Sequence, residues 1–271
     1  MATQQTRLVD KYLSATQKCD LSLKHVLIVG LGGVGSYTAE ILARSGVGHL
    51  TIVDADVVAA SNINRQLPAT PQTIGRKKVE VVKERLQKIN PEIKIETIER
   101  FIENEGIQEI LKCRYDYVVD AIDSVSPKVF LIKNVMERGM SLVSSFGSGG
   151  RFDPTKVGIA DISQTEKDQL MRVVRYRLHK HGIRTGFKAV YSLESPDKGA
   201  LMFQEEKFKK SSFGTLSYMT SIFGAKCAEV VLRDLTGNPV VTKVVEKRWE
   251  QNGKKFIEVD DDSEECKDYS D

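Results

Sequence analysis

Residues 25–78 run HVLIVGLGGVGSYTAEILARSGVGHLTIVDADVVAASNINRQLPATPQTIGRKK. Val26 to Val29 is an unbroken apolar run, the pattern of a strand buried on both faces. It enters a glycine turn, Gly30-Leu31-Gly32-Gly33-Val34-Gly35, and helical spacing follows over Val34 to Ser45, ending at Gly46. Leu50 to Val53 is a second apolar strand, closed by Asp54. Strand, glycine turn, helix and strand in that order make a βαβ unit whose turn offers backbone amides at a helix N-terminus, a place for phosphate. Gly32, Gly33 and Gly35 allow close backbone approach there. Asp54, 24 residues after Gly30, is placed to accept hydrogen bonds from ribose hydroxyls. A dinucleotide or ATP would be served equally well.

The alternation continues on the far side of this unit. Gly75 to Ile89 has helical spacing through Val79, Val82, Leu86 and Ile89 and stops at Asn90-Pro91. Ile93 to Ile98 alternates as a strand, Glu103 to Leu111 is helical, and Tyr117 to Ala121 is a short buried strand. A helix over Pro127 to Arg138 and a strand over Ser141 to Ser145 complete a βαβ series of about 125 residues. The series predicts an α/β fold with a doubly wound, mostly parallel sheet, Rossmann-like, whose ligand lies beyond the carboxyl ends of the strands. The glycine turn, Asp54, Asp120 to Asp123 and Ser145 to Gly150 all fall at those ends. Beyond Gly150 the pattern loosens into a strand at Val157 to Asp161, a basic helix at Thr165 to Lys180, a strand at Ala189 to Ser195 and a polar loop at Glu194 to Lys210. Thr215 to Leu235 is a long helix rich in small residues, and a hairpin is placed around Asn252-Gly253. The acidic end, EVDDDSEECKDYSD, predicts disorder. Ahead of the first strand, residues 1–24 form a helical lead-in with Leu8, Tyr12 and Leu13 as an apolar stripe.

Composition narrows the classes. Hydrophobic residues at 41% and charged residues at 28% suit a soluble globular chain. No apolar run approaches the roughly 20 residues that span a bilayer, and the polar N-terminus does not read as a signal peptide. Cys19, Cys113, Cys227 and Cys266 are far apart with no C-x-x-C pair, which argues against a disulfide framework and a cysteine zinc site and for a reducing, cytoplasmic setting. Cys227 falls in a small-residue helix and reads as core. The net charge of +3 identifies no partner, but its distribution does more. Lys167, Arg172, Arg175, Arg177, His179, Lys180, His181, Arg184 and Lys188 gather on and after one helix, as a polyanion-binding surface or a solvated face would. Val173, Val174 and Leu178 on the same helix face the body.

Asn62, Arg65 and Lys78 separate the two nucleotide readings. A hydride-transfer cofactor brings only a pyrophosphate, whereas a triphosphate needs extra cations as charge builds on the departing pyrophosphate. Asp123 offers oxygen ligation for Mg2+, while Asp120, deeper in its strand, is as well suited to bracing the strand end. These residues carry a resemblance. Gly30-x-Gly-Gly-x-Gly35, Asp54-Ala-Asp56, Ser61-Asn-Ile-Asn-Arg-Gln66, Gly75-x-x-Lys78, Asn90-Pro91 and Asp120-Ala-Ile-Asp123 together resemble the adenylating domain of the ubiquitin-activating-enzyme superfamily (ThiF/MoeB/HesA) over residues 25–150. The resemblance implies ATP and Mg2+, transfer of AMP to a carboxylate, and release of pyrophosphate. It assigns Gly30, Gly32, Gly33, Gly35, Asp54 and Asp56 to the nucleotide, with Asp54 on the ribose. Asn62, Arg65 and Lys78 go to the phosphates and Asp123 to the metal, with Arg65, Lys78 and Asp123 taking part in catalysis.

Within that superfamily, Asp120-Ala-Ile-Asp-Ser-Val-Ser-Pro-Lys128, Ser144-Ser-Phe-Gly-Ser-Gly-Gly150, Phe152-Asp-Pro-Thr155 and Phe213-Gly-Thr-Leu-Ser-Tyr-Met-Thr-Ser-Ile-Phe-Gly224 resemble the bacterial tRNA threonylcarbamoyladenosine dehydratases, extending the likeness to about residue 235. An adenylating domain over residues 25–237 and a tail over 238–271 follow from this. The substrate implied is a modified tRNA adenosine, with Arg172, Arg175, Arg177 and Lys180 as its phosphate contacts. No zinc is expected, because the paired C-x-x-C ligands of sulfur-carrier-activating relatives are missing. Lys209-Lys-Ser-Ser-Phe-Gly214 holds no cysteine where some dehydratases carry one, so no thioester role is placed there. A homodimer is implied, for which the small-residue helix offers a close-packing surface. A sulfur-relay protein partner, peripheral membrane association and a reach of Arg7 into a partner's site stay open. Two other classes remain: an adenylyltransferase for the C-terminal carboxylate of a ubiquitin-like sulfur carrier, and a nicotinamide-dependent dehydrogenase, which Arg65, Lys78 and Asp123 disfavour.

Overall fold

The apolar run after His25 becomes the centre of a sheet. The structure, a computed structural model, describes residues 13–102, 104–206 and 209–242. Its strands are β1 (His25–Val29), β2 (His49–Val53), β3 (Lys94–Ile98), β4 (Tyr117–Asp120), β5 (Leu142–Ser145), β6 (Val157–Asp161), β7 (Lys188–Ser192), β8 (Leu201–Glu206) and β9 (Lys209–Phe213). The first seven form one sheet in the order β3-β2-β1-β4-β5-β7-β6, parallel except for β6, which runs antiparallel to β7. The helices are α1 (Ala15–Leu23), α2 (Gly35–Arg44), α3 (Lys78–Ile89), α4 (Asn104–Ile110), α5 (Val125–Glu137), α6 (Gln169–Lys180) and α7 (Ser217–Leu235).

Alternation along β1 divides the core in two. Val26 and Ile28 point to a face covered by Leu42 of α2, Val82 and Leu86 of α3, and Phe223 and Val231 of α7. Leu27 and Val29 point to the opposite face, covered by Ile107 of α4, Val129 and Ile132 of α5, and Val174 and Leu178 of α6. Both faces of the central strands are therefore dry, which is what an all-apolar parallel strand requires. The order reverses between β1 and β4, and in such sheets the ligand crevice lies at that switch point, on the carboxyl edge.

Several expectations are corrected. The segment placed as a polar loop over 194–210 contains a 3-10 turn at Lys198–Ala200, the strand β8 and the start of β9, which pairs antiparallel with it. The basic helix begins at Gln169 rather than Thr165, because the Asp168 side chain accepts from the Met171 amide and caps it there. Lys167 lies outside it at a φ of 63°. Gly75 to Lys77 turn into α3 rather than forming it, with Lys77 bridging to Val57. Of the small residues of α7, Gly224, Cys227 and Ala228 are buried within the chain, whereas Ser217 and Ala225 are exposed and Ser221 is half-buried on the outer side. Leu13 packs against the core. Leu8, Tyr12, the hairpin at Asn252-Gly253 and the acidic tail lie outside the described residues. Among the described residues, no helix is long and apolar enough to cross a membrane.

Candidate active site

The glycine turn is built by backbone fit. Gly30 has a φ of 90°, and a Cβ there would stand 2.7 Å from the Ala121 carbonyl oxygen, just after β4. A Cβ on Gly35 would come within 1.8 Å of the Gly30 carbonyl oxygen. The loop closes on itself only because both positions lack a side chain. Gly33 faces Thr220 on the first turn of α7, where an added Cβ would meet Thr220 Cγ2 at 2.8 Å. Gly32 is looser: an added Cβ would meet only Gln66 Nε2, at an ordinary contact distance of 3.7 Å. The turn leads directly into α2, where the Ser36 amide donates to the Gly32 carbonyl at 3.2 Å and the Thr38 amide to the Val34 carbonyl at 3.0 Å.

Asp54 reaches the turn from the end of β2. Its Oδ2 accepts from the Leu31 amide at 2.7 Å and its Oδ1 from the Asp56 amide at 2.8 Å. Burial pushes the Asp54 carboxyl above its usual range, opposed by the Lys78 ammonium and these two amides. Lys78, buried at the start of α3, places Nζ 2.7 Å from Asp56 Oδ2 and 4.0 Å from Asp54 Oδ1. The pair neutralises negative charge that would otherwise repel a polyphosphate. Arg65 is held by its own loop, donating to the Ser61 carbonyl and to Asn64 Oδ1, both at 2.8 Å. Asn62 folds back so that its Oδ1 accepts from the Ala59 amide at 3.1 Å. Thr220 Oγ1 donates to the Arg65 carbonyl at 3.2 Å, and Asn64 Nδ2 to the Thr215 carbonyl at 3.1 Å, so the start of α7 seats both the arginine loop and the glycine turn.

Across the switch point the aspartate that ends β4 and the one on the loop beyond it separate in role. Asp120 is fully buried: its Oδ2 accepts from Lys128 Nζ and Ser144 Oγ, each at 2.6 Å, and its Oδ1 from the Ile122 amide at 3.1 Å. It braces the strand end, one of its two sequence readings. Asp123 is exposed on the loop beyond, so it is the carboxylate of the two that can meet a hard cation.

Lys128 was missed as a site residue. It is 0% exposed, also donates to the Ser145 carbonyl at 2.8 Å, and lies 4.9 Å above the Phe146 ring. Its signal was the spacing: eight residues after Asp120 falls on the first turn of α5, facing back onto the sheet. Arg151 was missed too. Its Nη2 donates to Asp168 Oδ2 at 2.6 Å in a buried pair, joining the loop after β5 to the start of α6.

The structure divides the basic cluster. Arg172, Tyr176 and Lys180 share the exposed face of α6, and Lys180 Nζ stands 4.4 Å from the Tyr176 ring centroid. Arg175 turns inward to the Thr165 carbonyl, and Arg177 to Ser126 Oγ at 2.8 Å. Lys188 pairs with Asp234 of α7 at 2.6 Å and is engaged in holding that helix. Cys227 is core as expected; burial pushes its thiol up to about 12, far from a thiolate.

The ThiF family model matches residues 5–267. The tRNA threonylcarbamoyladenosine dehydratase of Bacillus subtilis (strain 168) is 43% identical over 171 residues, 63% of this chain and 67% of that protein. The protein of the same description from Escherichia coli (strain K12) is 36% identical over 218 residues, 74% of this chain and 81% of that protein. The crystal structure of the E. coli tRNA N6-threonylcarbamoyladenosine dehydratase in complex with ATP superposes with a TM-score of 0.80 at 31% identity, covering 86% of this chain and 94% of that one.

Proposed function

This chain belongs to the ThiF family, and from that premise we propose that it is an ATP-dependent enzyme that cyclises threonylcarbamoyladenosine in tRNA with net loss of water. The observation that carries the reading is the convergence at one carboxyl edge of the glycine turn, Asp54, Arg65, Lys78 and Asp123, in a chain similar to a dehydratase solved with ATP.

A carboxylate resists attack because its leaving group would be oxide. Its oxygen attacks the α-phosphorus of ATP, pyrophosphate leaves, and the acyl carbon then carries AMP as a good leaving group. The neighbouring carbamoyl group of the same side chain attacks that carbon, AMP departs with the original carboxylate oxygen, and the ring closes. An internal nucleophile needs no thioester carrier, since oriented cyclisations reach effective molarities on the order of 10⁵ M or more.

In this mechanism the turn from Gly30 to Gly35 receives the phosphates on its backbone, and Asp54 takes the ribose. Lys78 exchanges its contact with Asp56 for a phosphate oxygen, and Arg65 and Asn62 leave their loop contacts to follow it. Charge developing on pyrophosphate is what these cations stabilise. Asp123, exposed and a hard oxygen donor, would hold Mg2+, which supplies charge neutralisation on the phosphates when bound. A tRNA approaches along Arg172 and Lys180. A homodimer belongs to the same reading.

Incubation of the protein with ATP, Mg2+ and tRNA bearing threonylcarbamoyladenosine is expected to give nucleosides one water lighter by mass spectrometry, together with AMP. Arg65→Ala and Lys78→Ala should each lower turnover at least about a hundredfold, as expected for loss of a charge-stabilising donor. An unchanged nucleoside mass, with adenylation of a carrier-protein C-terminus instead, would establish the sulfur-carrier adenylyltransferase.

A further inference from the structure

Phe152 is 71% exposed, yet its backbone is pinned on three sides. Its amide and that of Asp153 donate to Glu194 Oε2 at 2.9 and 2.8 Å, and its carbonyl accepts from Tyr218 Oη at 2.7 Å. The two rings meet edge to face, centroids 6.2 Å apart and planes at 87°. A large apolar ring held rigidly in solvent contributes nothing to the core. Rigid, exposed aromatic rings are what a flat ligand stacks on.

Its position is specific. Tyr218 sits on the first turn of α7, two residues before Thr220, which touches both the Arg65 carbonyl and the Gly33 position. On the other side, Arg151 precedes Phe152 in the chain and pairs with Asp168, the cap of α6. The outward residues of that helix are Arg172, Tyr176 and Lys180. The aromatic pair therefore lies between the start of the basic helix and the adenylation crevice. The carboxylates of the same segment are engaged: Glu194 on the two amides, Asp153 on Thr155 at 2.6 Å and beside Lys156 at 3.5 Å.

We propose that Phe152, buttressed by Tyr218, is the platform on which a nucleobase of the RNA substrate stacks as its modified side chain enters the adenylation crevice. The inference rests on the tRNA reading of this site. A nucleobase is favoured over a second copy of this chain because exposed Arg172 follows one helical turn after Asp168, the partner of Arg151 beside Phe152, and a cation there suits a polyanion. Base stacking is also tolerant of which base is presented, so the platform positions the substrate while the crevice selects the carboxylate.

The test compares wild type, Phe152→Ala, Phe152→Trp and Tyr218→Phe. It reads equilibrium binding of tRNA bearing threonylcarbamoyladenosine, KM for that tRNA, KM for ATP, and elution volume on size exclusion. Phe152→Ala is expected to weaken tRNA binding and raise its KM roughly fivefold to a hundredfold, with ATP KM and elution volume unchanged. Phe152→Trp should restore binding, and Tyr218→Phe, which keeps the ring but frees the Phe152 carbonyl, should fall between. Unaltered tRNA binding in Phe152→Ala overturns the platform, and a shift of that variant to a smaller species assigns the patch to a second copy instead. Because binding is read without turnover, wild-type protein that binds this tRNA but never cyclises it refutes the proposed reaction and leaves the platform to be judged on binding alone.

Discussion

At the scale of single residues, Lys128 shows how a buried charge organises the crevice. Its ammonium touches Asp120, Ser144 and the Ser145 carbonyl, tying the carboxyl ends of β4 and β5 together. Asp120 in turn holds the Ile122 amide, one residue before Asp123. Removing one partner of a buried ion pair strands the other charge in a low-dielectric interior. Lys128→Met is therefore expected to cost about 3–5 kcal/mol in urea denaturation. The double variant Lys128→Met/Asp120→Asn should recover part of that loss, since the stranded carboxylate is then gone. Recovery would identify the cost as electrostatic; its absence would place the cost in packing.

The helix is the scale at which the basic cluster has to be judged. Sequence places Arg172, Arg175, Arg177 and Lys180 on α6 with equal claims, but an α-helix presents only one face outward. Arg172 and Lys180 are on it, whereas Arg175 and Arg177 satisfy Thr165 and Ser126. Neutralising Arg172 and Lys180 together should reduce the slope of log tRNA affinity against log salt by about 1 per lost phosphate contact, with ATP affinity unchanged. Arg175→Ala should instead lower the thermal midpoint and leave the salt slope where it was. The salt series on both variants checks the division directly.

For the molecule as a whole, the edge of the sheet opposite the crevice sets an acid limit. His25 on β1 and His49 on β2 stack with centroids 3.5 Å apart and planes at 5°. Facing His25 are Thr51, whose Oγ1 is 2.7 Å from Nε2, Tyr115 edge-on at 4.7 Å, and the carboxylates of Glu96 and Asp116. Lys24 lies beside Asp116 at 3.3 Å. Burial first, and His49 second, hold the His25 pKa below its ordinary value, against the pull of Glu96 and Asp116. The folded state therefore binds fewer protons than the unfolded chain between the depressed pKa and about 6.5. Stability rises with pH across that window and is lost as pH falls below about 6.5. Urea midpoints at a series of pH values should show this fall, and His25→Gln should flatten it.

The fold was legible in the sequence because burial on both faces leaves its mark on residue type. Val26 to Val29 had to be a continuous apolar run, Leu50 to Val53 and Tyr117 to Val119 nearly so, and the turn after β1 had to be glycine where backbone meets backbone. The ordering of Gly30, Asp54, Lys78 and Asp123 at one edge followed from strand polarity alone. The pair β8–β9 was not legible, since the apolar run Leu201-Met202-Phe203 is only three residues long and the rest of the pair is mostly polar. What only the tertiary structure decided was partnership: that Lys128 reaches back to Asp120, that Arg175 and Arg177 turn inward, and that Tyr218 pins Phe152 from 66 residues away. Sequence determines which elements form and which edge they share, because local pattern and strand direction are properties of the chain. Which side chains meet across those elements depends on register and rotamer, and these exist only once the core has closed.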